Sequence, residues 1–372
     1  MRVALLGGGA QLIPSYSALL KKLSRNFEIT LYSEFHLGPE WMTDEYKVKS
    51  VPSWITAWRI RTIYFGLWVL VEHVRKKFDL VHSHSTYPSG LVGVIAGKLF
   101  RIPVLVSLDA AETVAIPEIG FGDLLNSRRM KLNCFVLDRA NVITVLTGYQ
   151  GSFVNRNLGK DYRLKVIPRG VDLTRFTFSN REPGRQVRFL NVAYLHPVKD
   201  QITLLKCFSL LCRHLDCKLT IVGRDLSNGE LKKLCLSLGL ADRVRFEEHV
   251  PHSGIQEFYR SADVLLHTSL FESQGIVVAE ALAEGVLVCG THVGLMADLS
   301  DRCCVTVEPG QASALADKIL KLLDNPTQMI RMKEAGRQWA EQHDLEWTAR
   351  QYSETYMSLL HSMPSSKRQN ES

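Results

Sequence analysis

The sequence predicts an α/β protein with two Rossmann-like domains that face each other across a cleft. A chain of 372 residues exceeds one typical hydrophobic core. Short apolar strand candidates alternate with helical patterns along its length, which indicates parallel sheets. The polar segment Ser179–Gln186 interrupts this alternation and is typical of a linker. A cleft between two such domains is a natural place for a ligand.

The first half alternates five strand candidates with four helical segments. The predicted strands are Val3–Leu6, Glu28–Tyr32, Leu80–His84, Val104–Leu108 and Val142–Leu146. The predicted helices are Pro14–Leu23, Ile60–Lys77, Gly90–Phe100 and Met130–Arg139. We place the first domain at residues 1–178.

A second alternation follows the polar segment, and we place the second domain at residues 187–340. Its predicted strands are Val187–Val192, Lys218–Val222, Val244–Phe246, Val264–His267, Leu287–Cys289 and Val305–Val307. Helices are predicted from about residues 200 to 214, 230 to 238 and 312 to 324, and from Gly275 onward. The segment Trp347–Leu360 reads as a last amphipathic helix, and the polar tail 363–372 is expected to be disordered.

Composition and charge narrow the class of protein. The net charge of +7 favours anionic partners such as phosphates or acidic lipids. Eight cysteines without a Cys-x-x-Cys pair are expected to be reduced core residues of a cytosolic protein. The longest aromatic and aliphatic stretch, Ile63–Val71, is too short to span a bilayer. We therefore expect a cytoplasmic protein, with a peripheral contact at the inner membrane face as an option.

The most informative pattern is the pair Glu272 and Glu280, which flanks a glycine and the start of an apolar helix. The first amides of a helix lack internal partners and carry partial positive charge. Gly275 lets an anion approach those amides closely. A diphosphate at Gly275 and Ile276 would leave Glu280 near a ribose and Glu272 near the other end of the ligand. The alternative is a buried helix whose two acids make caps or salt bridges.

Three smaller motifs leave alternatives open. His82 and His84 are two residues apart on a strand, so both side chains point to one face. They could begin a metal site. We prefer the interpretation that they form a polar pair at the strand end. The glycines at 7–9 lack the spacing of a dinucleotide loop. Residues 54–68 mix tryptophans with arginines, and we expect a buried helix with a polar edge rather than a membrane contact.

The chain resembles the retaining glycosyltransferases of family 4, which have the two-domain GT-B fold. Residues 272–290 match the family pattern of two glutamates separated by seven residues, followed by small residues, a glycine and an apolar strand. Residues 166–176 are similar to the family's interdomain segment, and residues 79–84 to its aspartate–apolar–histidine strand. The resemblance covers nearly the whole chain.

The resemblance implies a role for individual residues. The catalytic side chains would be Glu272 beside the donor sugar, Lys199 on the diphosphate, and Asp109, which stands where the family has a histidine. The substrate-binding residues would be Gly8, Gly9, Arg169, Tyr194, Val250, Ser273, Gln274, Gly275, Ile276 and Glu280. The first domain would bind the acceptor, with the helix at 345–361 packing back on it, and the second would bind the donor.

The implied reaction transfers a hexose-type sugar from a nucleoside diphosphate to an acceptor hydroxyl on a glycan or a lipid-linked molecule, with retention of anomeric configuration. No metal ion and no other cofactor is expected, because a lysine and helix amides can stabilise the leaving diphosphate. The chain has no Asp-x-Asp pair, which is the usual metal–diphosphate anchor of the other large glycosyltransferase fold. No nucleic acid partner is expected.

Three positions depart from the family pattern. Tyr194 stands where an arginine is common, Asp109 replaces a histidine, and Gln274 replaces a phenylalanine. These changes keep two rivals open. One is a non-catalytic subunit that binds a nucleotide or a glycan, and the other is a sugar-nucleotide epimerase of the same shape.

Overall fold

A computed structural model of the chain describes residues 1–7, 14–38, 41–248 and 250–362. The chain folds into two compact units. The first unit comprises Met1–Leu146, Gly151–Pro168 and the segment that begins at Leu345. The second comprises Thr147–Gln150 and Arg169–Asp344. The chain passes into the second unit at Arg169, earlier than the sequence boundary at 178 suggests.

Within its described residues, the first unit is built on a seven-stranded parallel sheet in the order β3-β2-β1-β4-β5-β6-β7. The strands are β1 Arg2–Gly7, β2 Glu28–Ser33, β3 Lys47–Ser50, β4 Leu80–His84, β5 Val104–Leu108, β6 Val142–Val145 and β7 Leu164–Val166. The helices that precede the second unit's sheet are α1 Pro14–Ser24, α2 Trp58–Lys76, α3 Leu91–Phe100, α4 Ser127–Leu137 and α5 Gly148–Leu158.

The second unit has a six-stranded parallel sheet, again within the described residues, in the order β10-β9-β8-β11-β12-β13. Its strands are β8 Val187–Val192, β9 Cys217–Val222, β10 Val244–Glu247, β11 Val264–His267, β12 Leu287–Thr291 and β13 Cys304–Val307. Its helices are α6 Gln201–Leu211, α7 Glu230–Ser237, α8 Ile255–Ser261, α9 Ile276–Glu284, α10 Gly294–Asp298, α11 Ala312–Leu323 and α12 Pro326–Gln342.

The central strands of both sheets are buried on both faces, as parallel sheets covered by helices require, and most of their residues are apolar. Most of the cysteines belong to these cores: Cys207, Cys217, Cys235, Cys289, Cys303 and Cys304 are buried. All eight are free thiols. The fold class predicted from the sequence, α/β with two Rossmann-like domains, is confirmed.

The last described helix, α13 (Leu345–His361), belongs to the first unit and packs against α1. Its buried face carries Tyr352 and Tyr356. The Tyr356 hydroxyl shares a hydrogen bond of 2.7 Å with Nδ1 of His82 on β4. A segment distant in sequence therefore completes the core around β4.

The polar segment predicted as a linker is held by the second unit. The backbone amide of Ser179 donates to the carbonyl of Glu284 at 3.0 Å. Arg181 pairs with the buried carboxylate of Asp263 at 3.0 Å. This segment has few apolar residues because it runs over the surface of the second unit, where polar contacts stabilise it.

The expectation of a buried helix at residues 54–68 is wrong. Helix α2 buries one face, with Phe65, Val69, Glu72 and His73, and turns the opposite apolar face to solvent. Trp54 is 77% exposed and Trp58 54% exposed. Among the described residues, no helix has the length and apolarity needed to cross a bilayer. When apolar residues lie on nearly all sides of a helix, the sequence does not tell which face packs against the rest of the protein.

Candidate active site

The topology of the second sheet brings two predicted residues together. Its strand order reverses between β8 and β11, and ligands of such sheets bind beyond the carboxyl ends of the strands at that reversal. The chain that follows β8 carries Lys199, and the chain that follows β11 carries Glu272. The two residues are far apart in sequence, but their side chains form an ion pair of 2.5 Å between Nζ and Oε1.

Three donors converge on a single oxygen of Glu272. Besides Lys199, Oε1 accepts a hydrogen bond from the Ser269 hydroxyl at 2.7 Å and lies 3.1 Å from Nε2 of His267. The Glu272 side chain is only 11% exposed. Within the part of the chain that the structure describes, no hydrogen bond is made to its other oxygen, Oε2. The protein thus fixes one oxygen of Glu272, and the other makes no hydrogen bond to the described residues.

These contacts keep Glu272 ionised. Burial by itself acts to raise the pKa of the Glu272 carboxyl. The charge of Lys199 and the interaction with His267 act in the opposite direction and outweigh it, so the pKa lies well below its ordinary value of 4.5. A permanently ionised carboxylate accepts hydrogen bonds and does not donate a proton, so it is unsuited to act as a general acid.

Lys199 is positioned by a short helical turn at Pro197–Lys199. The His196 ring accepts a hydrogen bond from the Val198 amide at 3.2 Å, and the Lys199 amide donates to the His196 carbonyl at 2.8 Å. Asp200 then caps α6 by accepting from the Thr203 amide at 3.2 Å. With the backbone fixed on both sides, the ammonium group of Lys199 points at Glu272. The Lys199 side chain as a whole is 24% exposed.

The loop between Glu272 and α9 is held by backbone contacts. The Gln274 side chain forms two hydrogen bonds of 2.8 Å with the backbone of Arg169, one to its amide and one to its carbonyl. The carbonyl of Ser273 accepts from the Thr147 hydroxyl at 2.7 Å. The Leu295 amide donates to the carbonyl of Gln274 at 2.8 Å. Gln274 therefore fixes the loop to the entry of the second unit, and its side-chain amide is already engaged.

Two glycines permit this loop geometry. Gly275 has φ of 78°, a left-handed conformation that other residues adopt only with strain, and it immediately precedes α9. At Gly294 a Cβ atom would lie 2.7 Å from Cβ of Glu272 and 2.6 Å from the carbonyl oxygen of Gln274. Ile276 begins the helix, so the first amides of α9 point toward the loop that carries Glu272. The predicted glycine-led helix start is therefore present in the structure.

Glu280 lies on α9, one turn beyond Ile276, and is buried. The hydroxyl of Tyr259, on α8, donates to its Oε2 at 2.7 Å. Burial, and then the nearby Glu280 charge, raise the pKa of Tyr259 well above its ordinary value. Tyr259 is therefore a constant donor that fixes the orientation of the Glu280 carboxylate.

The remaining predicted residues of the second unit differ in exposure. Tyr194 is 63% exposed, and its carbonyl accepts a hydrogen bond from Nε2 of Gln201 at 2.9 Å. Val250 is partly buried against the apolar cluster that includes Ile255 and Tyr259. Both lie after the carboxyl ends of strands, β8 and β10 respectively.

In the first unit, Asp109 follows β5 and is buried beside His84 at the end of β4. Its Oδ2 lies 2.6 Å from Nδ1 of His84, and the other ring nitrogen of His84 shares a short hydrogen bond with the Tyr16 hydroxyl. Tyr16, His84 and Asp109 thus form a continuous polar chain. This chain was not predicted, because it depends on α1 packing over the ends of two adjacent strands.

The two strand histidines form a polar pair, with ring centroids 4.4 Å apart. His82 is fully engaged, since its Nε2 shares a hydrogen bond of 2.7 Å with the Ser107 hydroxyl and its Nδ1 binds Tyr356. Burial, and then the proximity of His84, lower the pKa of His82 well below 6.5. Within the described residues, no group of three or more His, Cys, Asp or Glu side chains could hold a metal ion.

Glu112 is a buried carboxyl group in the same part of the first unit. It accepts a hydrogen bond from the Ala110 amide at 2.9 Å. Burial, and then the charge of Asp109, raise its pKa to about 7. The predicted residues Gly8 and Gly9 lie outside the described residues, so their positions relative to these groups are not part of the structure.

Three residues of the candidate site were missed in the sequence. His267 and Ser269 supply two of the contacts to Glu272, and Tyr259 supplies the contact to Glu280. A signal existed for the first two, because His267 ends a buried strand and Ser269 follows shortly after it. No signal in the sequence pairs Tyr259 with Glu280, which lie on different helices.

The fold is the two-unit α/β fold of GT-B type. Sucrose-phosphate synthase from Thermosynechococcus elongatus has the same fold, with a TM-score of 0.82, 20% identity, and 98% of this chain aligned to 100% of that one. HepE of Anabaena, in complex with UDP and glucose, aligns with a TM-score of 0.76 and 19% identity over 96% of this chain and 100% of its own.

Sequence comparisons identify the family. Residues 173–339 match the model of glycosyl transferases group 1, and residues 15–175 match the model of glycosyltransferase family 4. D-inositol 3-phosphate glycosyltransferase of Pseudarthrobacter chlorophenolicus is 27% identical over 77% of this chain and 73% of its own length. The corresponding enzyme of Corynebacterium glutamicum is 27% identical over 78% and 75%. The chain belongs to the group 1, family 4 glycosyltransferases and is a glycosyltransferase.

The contacts of Glu272 should make stability depend on pH in the acid range. Its pKa is lower in the folded protein than in the unfolded chain, so its contribution is fully present above the unfolded value and is lost as pH falls toward the folded one. Glu272→Gln cannot titrate. We expect the difference in free energy of unfolding between wild type and Glu272→Gln to be constant from about pH 7 to about 5 and then to shift toward the variant below about pH 4.

Urea unfolding followed by circular dichroism at each pH measures this difference. Glu230→Gln, at an exposed position on α7, is the matched control and should show no such shift. Parallel stability curves for wild type and Glu272→Gln down to about pH 3 would show that the carboxylate is not stabilised by its neighbours.

Proposed function

We propose that this glycosyltransferase moves a sugar from a nucleoside diphosphate to an acceptor hydroxyl, without a metal ion and with retention of configuration. The observation that carries the proposal is the state of Glu272, an ionised, nearly buried carboxylate with one oxygen bound by three donors and the other available. The comparisons support the donor class, since the solved structure of HepE contains UDP and glucose.

Glu272 would bind hydroxyl groups of the donor sugar through Oε2. Hydrogen bonds to an ionised acceptor are stronger than neutral ones. Because Oε1 is anchored, the carboxylate does not have to give up rotational freedom when the sugar binds. Ser273 and Gln274 would bind the donor through their backbone groups. The Gln274 side chain would hold this loop in place through its two hydrogen bonds to the backbone of Arg169.

Lys199 and the first amides of α9 would stabilise the leaving diphosphate. Negative charge develops on that group as the bond to the sugar breaks, and fixed positive groups stabilise it without reorganisation. Lys199 already bridges to Glu272, so one ammonium group would contact both the sugar-binding carboxylate and the phosphate. Gly275 and Ile276 would supply the close backbone approach at the helix start.

Glu280 would bind the ribose, with Tyr259 setting its orientation. Val250 would contact the base through its backbone, and Tyr194 would lie at the exposed edge of the nucleotide site. In the first unit, Asp109 would bond a sugar hydroxyl or accept the acceptor's proton, with His84 as its buried partner. Gly8 and Gly9 would complete the acceptor side. No covalent nucleophile is required if the acceptor attacks from the face that the diphosphate leaves.

The family assignment favours sugar transfer over the two rivals, the non-catalytic subunit and the epimerase. None of the three departures from the family pattern removes a group from the Glu272 cluster. Tyr194 is exposed, Gln274 is engaged with the backbone of Arg169, and Asp109 belongs to the first unit.

Two substitutions test the roles in the site. Lys199→Ala removes the charge that stabilises the diphosphate, and we expect kcat to fall by about 100-fold. Glu272→Gln removes the ionised acceptor while preserving shape, and we expect kcat/KM to fall by about 10-fold or more. The measurement is release of nucleoside diphosphate from a panel of nucleoside-diphosphate sugars that begins with UDP-glucose.

Lys206→Ala and Glu230→Gln are the matched controls, because both residues are exposed on helices of the same unit. Both control variants should retain wild-type turnover. Full activity in Lys199→Ala and Glu272→Gln would rule out the assigned site, and nucleoside diphosphate binding with no turnover on any donor would favour the non-catalytic rival.

For the acceptor, we propose a molecule presented at an anionic membrane surface. The outer face of α2 carries a stripe of aliphatic side chains at helical spacing, each between 47% and 69% exposed: Ile60, Ile63, Leu67, Val71 and Val74. Single exposed apolar residues are ordinary, but a contiguous stripe marks an interaction surface.

The stripe has apolar and basic neighbours. Helix α3 lies directly against α2, since a Cβ atom at Gly66 would lie 3.4 Å from Val92, and α3 exposes Ile95 and Leu99. Exposed basic residues surround these helices: Arg59, Arg75, Lys76, Lys77, Lys98 and Arg101. The acidic residue of α2, Glu72, is buried and paired with Lys49. An apolar stripe with a basic border is suited to the surface of anionic lipids.

The double variant Ile63→Asn/Leu67→Asn tests this surface. We expect wild-type protein to float with phosphatidylglycerol vesicles and not with phosphatidylcholine vesicles, and the variant to lose most of that binding because its apolar face no longer inserts. Ile202→Asn/Leu236→Asn, which alters two exposed apolar residues of the second unit, is the control and should bind like wild type. Unchanged flotation of the α2 variant, or a dimer in sedimentation that the variant abolishes, would contradict the proposal.

A further inference from the structure

Two cysteines of the second unit lie in direct contact. Cys212 directly follows α6 and Cys217 begins β9, with their Sγ atoms 3.4 Å apart. The connecting turn is ordered by backbone hydrogen bonds, including those from His214 and Leu215 to the carbonyl of Leu211 at 3.0 and 2.9 Å. The contact is therefore built into the connection between the helix and the strand.

The two thiols differ in environment. Cys212 is half-buried and Cys217 is fully buried. The hydrogen bond with Cys217 and, against the effect of burial, the Arg243 guanidinium lower the pKa of Cys212. The same contact and burial raise the pKa of Cys217. A partly exposed thiol of lowered pKa beside a buried thiol of raised pKa is the arrangement of a reactive cysteine with a resolving cysteine.

Arg243 also lines a surface cavity of about 480 Å³ at the edge of the second sheet. Lys218, Arg188 and Arg245 line the same cavity. The residue whose guanidinium group interacts with Cys212 thus also lines a cavity. None of these residues belongs to the site of Glu272, so the pair is a separate feature of the unit.

We propose that Cys212 and Cys217 are a redox modification site that closes to an intrachain disulfide when the protein meets a peroxide. The Cys212 thiolate attacks one peroxide oxygen, the O–O bond breaks, and the hydroxide that leaves takes a proton to become water. The Cys217 thiol then attacks the resulting sulfenic sulfur, the S–O bond breaks, and a second water carries away the thiol proton. The two sulfur atoms are each oxidised by one electron and the peroxide is reduced to two waters.

The geometry requires a small movement. A disulfide has an S–S length of about 2.0 Å, so the sulfur atoms have to approach by about 1.4 Å from their separation of 3.4 Å. Cys212 lies just beyond the last helical residue, where the backbone is free to adjust more than inside the helix. The bond would join the end of α6 to β9, and Lys199 lies at the opposite end of that helix.

Peptide mapping of the full chain tests the proposal. The protein is treated with hydrogen peroxide at neutral pH, its remaining thiols are alkylated, and trypsin then cleaves after Arg213, between the two cysteines. We expect a cross-linked pair made of the peptides Cys207–Arg213 and His214–Lys218, two hydrogens lighter than the separate peptides. The number of free thiols should fall from eight to six.

Variants identify the partners. Cys207 shares a peptide with Cys212, but it is fully buried and burial raises its pKa to about 12, so Cys207→Ser should leave the cross-link intact. Cys212→Ser should abolish it, and Cys217→Ser should leave a Cys212 sulfenic acid that dimedone traps. Cys235→Ser is the control and should behave as wild type. Eight free thiols after treatment of the wild-type protein, or a cross-link that survives in Cys212→Ser, would overturn the proposal.

Discussion

The buried, ionised carboxylate of Glu272 constrains the arrangement of the second unit. Removing a carboxylate from water is costly unless it is paired and hydrogen-bonded. Glu272 is stabilised by Lys199, Ser269 and His267, which lie on the chain after β8 and at the end of β11. Those contacts exist only because β8 and β11 are neighbours at the reversal of strand order. The stabilisation of the charge of Glu272 therefore depends on the sheet topology.

The two oxygens of Glu272 have different surroundings and different roles in our account. Oε1 of Glu272 is held by the protein, and Oε2 binds the ligand in our proposal. Lys199 has two roles in our account, since it stabilises the carboxylate in the free protein and would contact phosphate when the donor binds. Glu280 is also anchored, because the Tyr259 hydroxyl donates to its Oε2. A site made of anchored ionised groups needs little reorganisation on binding, which is the condition for electrostatic stabilisation of a leaving group.

Local sequence patterns were sufficient to predict the fold class and the start of α9. Alternating strands and helices gave the fold class, and the spacing of Glu272, Gly275 and Glu280 gave the helix start. The sequence did not predict the partners of those acids, because His267, Ser269 and Tyr259 meet them through tertiary packing. It also placed α2 in the core wrongly, since the apolar residues of a helix do not tell which face is covered. Gln274 stays a predicted substrate-binding residue, and the two hydrogen bonds of its side chain to the backbone of Arg169 were not predicted.

The central claim is that Glu272 binds the sugar and Glu280 binds the ribose. Calorimetric titration with a nucleoside diphosphate and with its sugar conjugate, such as UDP and UDP-glucose, tests it directly. The account predicts that Glu272→Gln weakens binding of the sugar conjugate and leaves binding of the diphosphate unchanged, whereas Glu280→Gln weakens both. Equal weakening of both ligands by Glu272→Gln, or loss of the sugar contribution only in Glu280→Gln, would contradict it.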